Sequence, residues 1–199
     1  MKKTLIVMVK EPRPGRVKTR LGRHIGMTTA AWWFRHQTQA LIRRLSDPRW
    51  RLVLAVSPDR EGMLSRVWPC GSARTAQGNG TLGDRMARVM KAQPPGPVCL
   101  IGADIPGITR HHIARGFAAL GRADAVFGPA PDGGYWLIGF SHVRRLPPDA
   151  FSGVRWSTRH ALDDTRATLD GMRVSLVDRL RDVDTADDLA MTRRGAHDT

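Results

Sequence analysis

Six cations, Lys10, Arg13, Arg16, Lys18, Arg20 and Arg23, crowd one short segment that also holds Pro12, Pro14 and Gly15. Glycine lets a backbone approach an anion closely, and ammonium and guanidinium groups neutralise its charge. The chemistry on offer is therefore capture of phosphate groups, with a solvated basic loop as the plain alternative. Lys18-Thr19 invites comparison with a Walker loop, but that loop needs glycines where Pro12 and Val17 stand. No Gly-x-Gly-x-x-Gly follows the first apolar run either, which disfavours a dinucleotide fold.

Two carboxylates stand in segments unlike ordinary turns. Gly102-Ala-Asp-Ile-Pro106 presents Asp104 beside a stiffening proline. Such an acid suits Mg²⁺ or Mn²⁺ carrying a nucleotide's phosphates, since hard cations take oxygen ligands and keep several waters. It could equally cap the next turn. Gly128-Pro-Ala-Pro-Asp-Gly-Gly-Tyr-Trp136 presents Asp132. Asp-Gly is a common hairpin turn, yet Asp132 could also join Asp104 as a second metal ligand or serve as a general base. Tyr135 and Trp156 could face a sugar or base ring or simply pack in the core. A glycine-rich stretch from Gln77 to Arg85, including Gly83, leads into a helix whose first N–H groups could meet an anion or ribose hydroxyls. Asp84 there could merely favour the helix start. The histidines show no zinc spacing, and no Gly-x-Ser-x-Gly elbow appears.

The elements that must carry these residues alternate. Thr4 to Val9 is a continuous apolar run, as expected of a strand covered on both faces. Pro12 and Pro14 forbid a helix immediately after it. Thr28 caps a helix ending before Asp47-Pro48, and Arg51 to Val56 forms a second strand. A short strand is expected near Ala73 to Ala76, a helix through Leu82 and Met90, and a strand over Val98 to Ile101. Thr109 caps a further helix to Gly121. Strands at 125–127 and 135–138 meet across a tight loop, which gives some antiparallel character. A helix from Ser157 or Thr158 ends at Gly171, Val174 to Val177 is a last strand, and Thr185 opens a final helix before a frayed tail at 193–199. This pattern predicts one α/β domain over 1–199, mainly a parallel sheet with helices on both faces. Ligands would bind outside the carboxyl ends of its strands.

Composition sets the outer bounds. The chain has 199 residues and a net charge of +14. That charge fits either an arginine-rich surface or attraction to polyanions. A nucleic-acid binder without catalysis is the minor reading, since no helix-turn-helix or zinc finger accompanies the charge. No apolar run reaches the ~20 residues of a membrane span, and Lys10 and Glu11 cut short any signal-peptide reading. A cytoplasmic protein is expected. Cys70 and Cys99 form no framework, and both read as buried small hydrophobes.

Several segments in one order carry a family resemblance: Lys10-x-Pro-x-Pro-Gly-Arg-Val-Lys-Thr-Arg-Leu21, Gln77 with Leu82-Gly-Asp-Arg-Met86, Gly102 to Pro106, Pro129 to Tyr135, Trp156-Ser-Thr158 and Asp182-Val-Asp-Thr185. Together they resemble the bacterial DUF2064 family, often labelled a glycosyltransferase and linked by name to arsenosugar biosynthesis. The resemblance implies a GT-A-like nucleotide-diphospho-sugar transferase fold, and a more distant similarity to the guanylyltransferases of coenzyme F420 and molybdopterin cofactor assembly. It implies that Lys10, Arg13, Gly15, Lys18 and Arg20 hold nucleotide phosphates and that Asp104 is the metal-binding acid. Gln77, Gly83 and Arg85 are added as nucleotide-binding candidates. The Asp-x-Asp pair usual in such glycosyltransferases is absent, because Ala103-Asp104-Ile105 supplies one acid. The expected function is a metal-dependent transfer from a nucleotide sugar to a small-molecule acceptor. The alternative is nucleotidyl transfer from a nucleoside triphosphate with release of pyrophosphate.

Overall fold

The computed structural model describes residues 2–181. Its seven strands are β1 (Lys3–Lys10), β2 (Trp50–Ser57), β3 (Ala73–Ala76), β4 (Val98–Gly102), β5 (Ala125–Pro129), β6 (Tyr135–Phe140) and β7 (Val174–Leu176). The helices are α1 (Thr19–Ile25), α2 (Met27–Leu45), α3 (Asp59–Leu64), α4 (Leu82–Lys91), α5 (Arg110–Ala119) and α6 (Ala161–Ala167). One sheet of order β3-β2-β1-β4-β6-β5-β7 holds all the strands. The β1–β2, β1–β4, β2–β3 and β5–β7 pairs are parallel. Strand β6 runs antiparallel to both β4 and β5. The expected hairpin is present, and the sheet is mostly parallel.

The apolar run of β1 is continuous because both faces of the sheet are covered. Leu5, Val7 and Val9 point into one core with Phe34 and Leu41 of α2 and Ile113 and Phe117 of α5. Ile6 points into the other with Met86, Val89 and Met90 of α4, Phe127 and Phe140. Period-two alternation thus sends successive β1 side chains to opposite helix layers. Trp50 secures the join between α2 and β2 by donating its indole N–H to the Leu45 carbonyl at 2.9 Å.

The fold departs from the sequence expectation in a few places. Helix α1 begins at Thr19, directly after the proline-bearing turns, and α3 follows Pro58; both are single short helices without long apolar periodicity. The helix expected from Ser157 starts at Ala161, because 155–160 forms a separate turn. Cys99 is buried, but Cys70 is exposed. The helix expected at Thr185, the Asp182 to Thr185 motif and the tail at 193–199 lie outside the described residues. Among the described residues, no helix is long and apolar enough to cross a membrane.

Candidate active site

Strand order reverses between β1 and β4, since β1 leads outward to β2 while β4 begins the other half of the sheet. At such a switch point the following loops diverge and leave a crevice. Met8 is paired with Gly102 across this pair, so the loops carrying the cations and Asp104 emerge side by side. Strand β6, being antiparallel, begins at the same edge. A cleft of about 640 Å³ opens there, within the size range of small-ligand pockets. It is lined by Lys10, Lys18, Arg20, Gln77, Arg85, Asp104 and Asp132. The structure therefore brings these seven candidate residues to one cleft.

The basic segment is a series of turns pinned at its far end. Glu11 N–H donates to Ser57 O, and Arg16 N–H donates to Arg13 O. Val17 is then driven into the core, 4% exposed. Lys18 follows in the left-handed region (φ 46°) and opens α1. That conformation is uncommon for a residue with a Cβ and is maintained only where surroundings demand it. Its Nζ lies 2.9 Å from Asp104 Oδ1, with the lysine side chain 5% exposed and the aspartate 51%. The loops after β1 and β4 are thus joined by an ion pair whose lysine is enclosed and whose carboxylate still faces the cleft.

Gln77 is 3% exposed and acts as a clamp. Its amide donates to Ala55 O at 2.8 Å and Val9 O at 3.3 Å, tying the ends of β1 and β2. Its Oε1 accepts from Arg85 Nη1 at 3.1 Å, which orients that guanidinium at the cleft. At the start of α4, Thr81 and Asp84 form a reciprocal capping box. The hydrogen bonds from Thr81 hold the Asp84 carboxyl below its ordinary range. Of the two readings open for Asp84, helix capping is the one observed.

Asp132 makes the hairpin turn expected of Asp-Gly and stands at the cleft. Its Oδ1 accepts from Gly134 N–H at 2.9 Å, closing the hairpin turn, and the residue also lines the cleft. The turn is pressed against the segment before α6: Leu162 N–H donates to Gly133 O, and a Cβ on Gly133 would fall 2.1 Å from Arg159 O. Tyr135 borders the cleft but belongs to the core. Its ring meets Phe127 edge-on, its hydroxyl lies 3.4 Å from Thr165 Oγ1, and burial pushes the phenol upward. Trp156 stays half-buried at the cleft, its ring packed near Phe151.

Three candidates sit elsewhere. Arg13 borders a separate recess of about 140 Å³ with Lys10, Glu11, Arg16, Ser57 and Pro58. Gly15 supplies a turn at φ +74° with nothing near its Cβ position. Gly83 does not line the cleft; a Cβ there would meet Phe151 Cβ at 2.5 Å and Trp156 at 3.1 Å. Its absent side chain makes room for aromatic packing beneath the wall. Conversely, Arg16, Thr19, Leu82, Ser157 and Thr158 line the cleft and were not among the chosen site residues. Arg16 carried the same signal as its neighbours, whereas Leu82 and Ser157 gave none beyond their elements.

Among the described residues no group of three or more His, Cys, Asp or Glu gathers. Asp104 and Asp132 nevertheless offer carboxylate oxygens to one cleft already rich in cations. One or two carboxylates, completed by substrate phosphates and water, is how Mg²⁺ is usually held. The residues fit a cation that arrives with a nucleotide better than one bound alone.

The family model described as an uncharacterized protein conserved in bacteria, DUF2064, matches residues 40–158. The chain belongs to this family. The match begins after the basic loop. The chain resembles a protein from Desulfovibrio desulfuricans provisionally described as a nucleotide-diphospho-sugar transferase, with 31% identity, a TM-score of 0.84, and coverage of 98% of this chain and 88% of that one. A 4-diphosphocytidyl-2C-methyl-D-erythritol synthase from Anaerococcus prevotii shares the fold at 12% identity and TM-score 0.63, covering 98% of each chain. So does Rv0371c of Mycobacterium tuberculosis, solved with manganese, at 18% identity and TM-score 0.53, covering 96% of this chain and 97% of that one. No curated protein matches the chain in sequence.

Proposed function

We propose that this DUF2064 protein is a transferase that binds a nucleotide sugar in the cleft and transfers the sugar to a small-molecule acceptor. The observation that carries the reading is the 2.9 Å contact between Lys18 and Asp104, which fixes a phosphate-binding segment against an acid at the sheet's switch point. When the bond between the anomeric carbon and the β-phosphate oxygen breaks, negative charge builds on the departing diphosphate. Preorganised cations at that place lower the barrier because they need not reorganise as charge appears. Lys10, Lys18, Arg20 and Arg85 are the groups assigned to it, with Arg16 added by the geometry. Gln77 holds Arg85 in position, Arg13 and Gly15 shape the turns of the basic segment, and Gly83 leaves room for Phe151 and Trp156 under the wall. Asp104 and Asp132 would hold Mg²⁺ or Mn²⁺. The metal would supply Lewis-acid stabilisation of the diphosphate oxygens. Asp132 is also the cleft carboxylate suited to accept the proton of an acceptor hydroxyl.

One observation favours a second reading. Five cationic side chains against two carboxylates line the cleft. A nucleoside triphosphate carries more negative charge than a nucleotide sugar and would use that surplus more fully. The reaction would then be nucleotidyl transfer with loss of pyrophosphate. The two are separated by incubating the protein with nucleotide sugars or nucleoside triphosphates, each with Mn²⁺, while following thermal stability and the product released. A nucleoside diphosphate supports sugar transfer; pyrophosphate supports nucleotidyl transfer. Absence of stabilisation by any nucleotide would remove both.

A further inference from the structure

The cleft has two chemically different walls, built from opposite faces of the sheet. Val17 and Phe34 pack in the core beneath α2, so the cationic wall belongs to that face. Met86, Phe151, Trp156 and Leu162 pack in the core beneath α4, on the other face. The lining residues that this second wall contributes from Leu82, Met86, Trp156, Ser157, Thr158 and Ala161 carry no charge. Arg85, on the same helix, is engaged with the Gln77 amide oxygen.

This neutral wall keeps apolar surface open where most such surface is covered. Leu82 is 38% exposed at the head of α4, and Trp156 is half-buried. Ser157 follows with an exposed side chain and a left-handed backbone (φ 59°). The turn that carries it is fixed on both sides. Arg155 donates to Asp164 through its backbone N–H and two guanidinium nitrogens, at 3.0, 2.8 and 2.8 Å. Thr158 Oγ1 donates to Arg155 O at 2.7 Å and accepts from His160 N–H at 3.2 Å. Thr158 is thereby occupied in holding the turn, and Ser157 is the hydroxyl presented outward. Of the three non-glycine residues at positive φ among the described residues, Lys18 and Ser157 both line this cleft, one on each wall.

An aromatic face with an aliphatic neighbour and a hydroxyl suits a ligand with C–H groups on one side and hydroxyls at its rim. Arg85, the one cation that α4 adds to the cleft lining, is assigned to the donor's diphosphate, and the other residues of this wall offer a phosphorylated acceptor no charge. We infer that Leu82, Trp156 and Ser157 form the acceptor subsite, and that the acceptor is an uncharged, hydroxylated ring of the sugar or cyclitol class. This rests on the reading of the cleft as a transferase site. Leu82 and Trp156 select the ring's apolar face, and Ser157 accepts or donates one hydrogen bond to a ring hydroxyl.

The test is saturation-transfer NMR on the full chain with Mn²⁺-free buffer, using methyl α-D-glucopyranoside and myo-inositol as neutral probes and their monophosphates as charged ones. Nucleotide stabilisation is followed separately by thermal shift. With the cationic wall filled by a saturating nucleoside diphosphate, a neutral probe is expected to bind more tightly than its phosphate. Leu82→Glu and Ser157→Gly are each expected to weaken it about fivefold or more, which is the size of one lost contact, and by a larger factor than either weakens nucleotide binding. Glycine tolerates φ 59° without strain, so Ser157→Gly removes the hydroxyl while keeping the turn. Tighter binding of the phosphorylated probes, or no response to either substitution, would overturn the assignment. Nucleotide stabilisation without any neutral probe binding would overturn it alone. Neutral probe binding without nucleotide stabilisation would strike the transferase reading and support the ring site.

Discussion

Replacing Asp104 by Asn keeps the shape of the side chain and removes its charge. At 2.9 Å the direct attraction to Lys18 is about 6 kcal/mol for an effective dielectric of about 20. That figure is far above the net effect, because Asp104 is half exposed and solvent screens it. Lys18 is nearly enclosed, however, so it cannot recover full hydration when its partner is neutralised. The expected cost lies between an exposed pair and a buried one, roughly 1–2 kcal/mol. For a domain of this size that lowers the melting temperature by about 2–8 °C. Lys18 takes part in further interactions, so Lys18→Met alone loses more than the pair. A double-mutant cycle of Asp104→Asn and Lys18→Met by urea denaturation isolates the shared term, expected near 1 kcal/mol. Methionine has the same left-handed backbone strain as lysine, so that contribution cancels. In parallel, Mn²⁺-dependent stabilisation by a nucleotide should vanish in Asp104→Asn. Coupling below about 0.3 kcal/mol, together with retained Mn²⁺ dependence, would refute both the pairing and the metal assignment.

Gly133→Ala should destabilise the fold by more than about 2 kcal/mol, because the residue adopts φ +85° and the new methyl meets Arg159 backbone at 2.1 Å; chemical denaturation checks it. Thr81→Ala removes half of the capping box of α4 and should cost about 1 kcal/mol, read by the same method. The acid limb of stability offers a sign-determined test. Hydrogen bonds from Arg49 hold the Asp47 carboxyl down to about 2 from 3.8. A depressed folded pKa contributes stability that is complete above the unfolded value and lost as pH falls toward the folded one. Melting temperature should therefore change little from this source between pH 7 and 5 and fall between about pH 4 and 2. Asp47→Asn should flatten part of that fall.

The sequence was informative where one element or one loop had to satisfy a local rule. Thr4 to Val9 could only be a strand covered on both faces, and Leu5 and Ile6 do enter opposite cores. Thr109 as an N-cap is confirmed by its bond from His112 N–H. The cations and Asp104 were legible as a site because both follow apolar strands, and parallel strands release their loops at one edge. What could not be read is contact between distant segments. Nothing local says that Gly83 makes room for Phe151 and Trp156, far along the chain, or that Arg155 would lock onto Asp164 and hold Ser157 at the cleft. Cys70 misled because a cysteine's composition bias toward burial says nothing of its particular turn.

The arrangement of charge explains why nucleotide and metal should bind together. A carboxylate already paired with an enclosed ammonium has little surplus negative charge for a free cation, and Asp132 has one oxygen engaged with its own turn. An isolated Mg²⁺ would therefore meet a cleft whose cations outnumber its acids. A nucleotide reverses that balance. Under the proposed function its phosphates would compete for Lys18 and free the Asp104 oxygen, and the same phosphates would supply the ligands that two carboxylates cannot. Each partner then improves the site for the other, so by linkage the affinity gain must be equal in both directions. Titration of Mn²⁺ with and without nucleotide, and of nucleotide with and without Mn²⁺, should give the same coupling factor. In Lys18→Met, Mn²⁺ affinity without nucleotide should rise while the coupling factor shrinks. A fall in Mn²⁺ affinity in that variant would mean that the lysine supports the acid's conformation and does not compete with the cation.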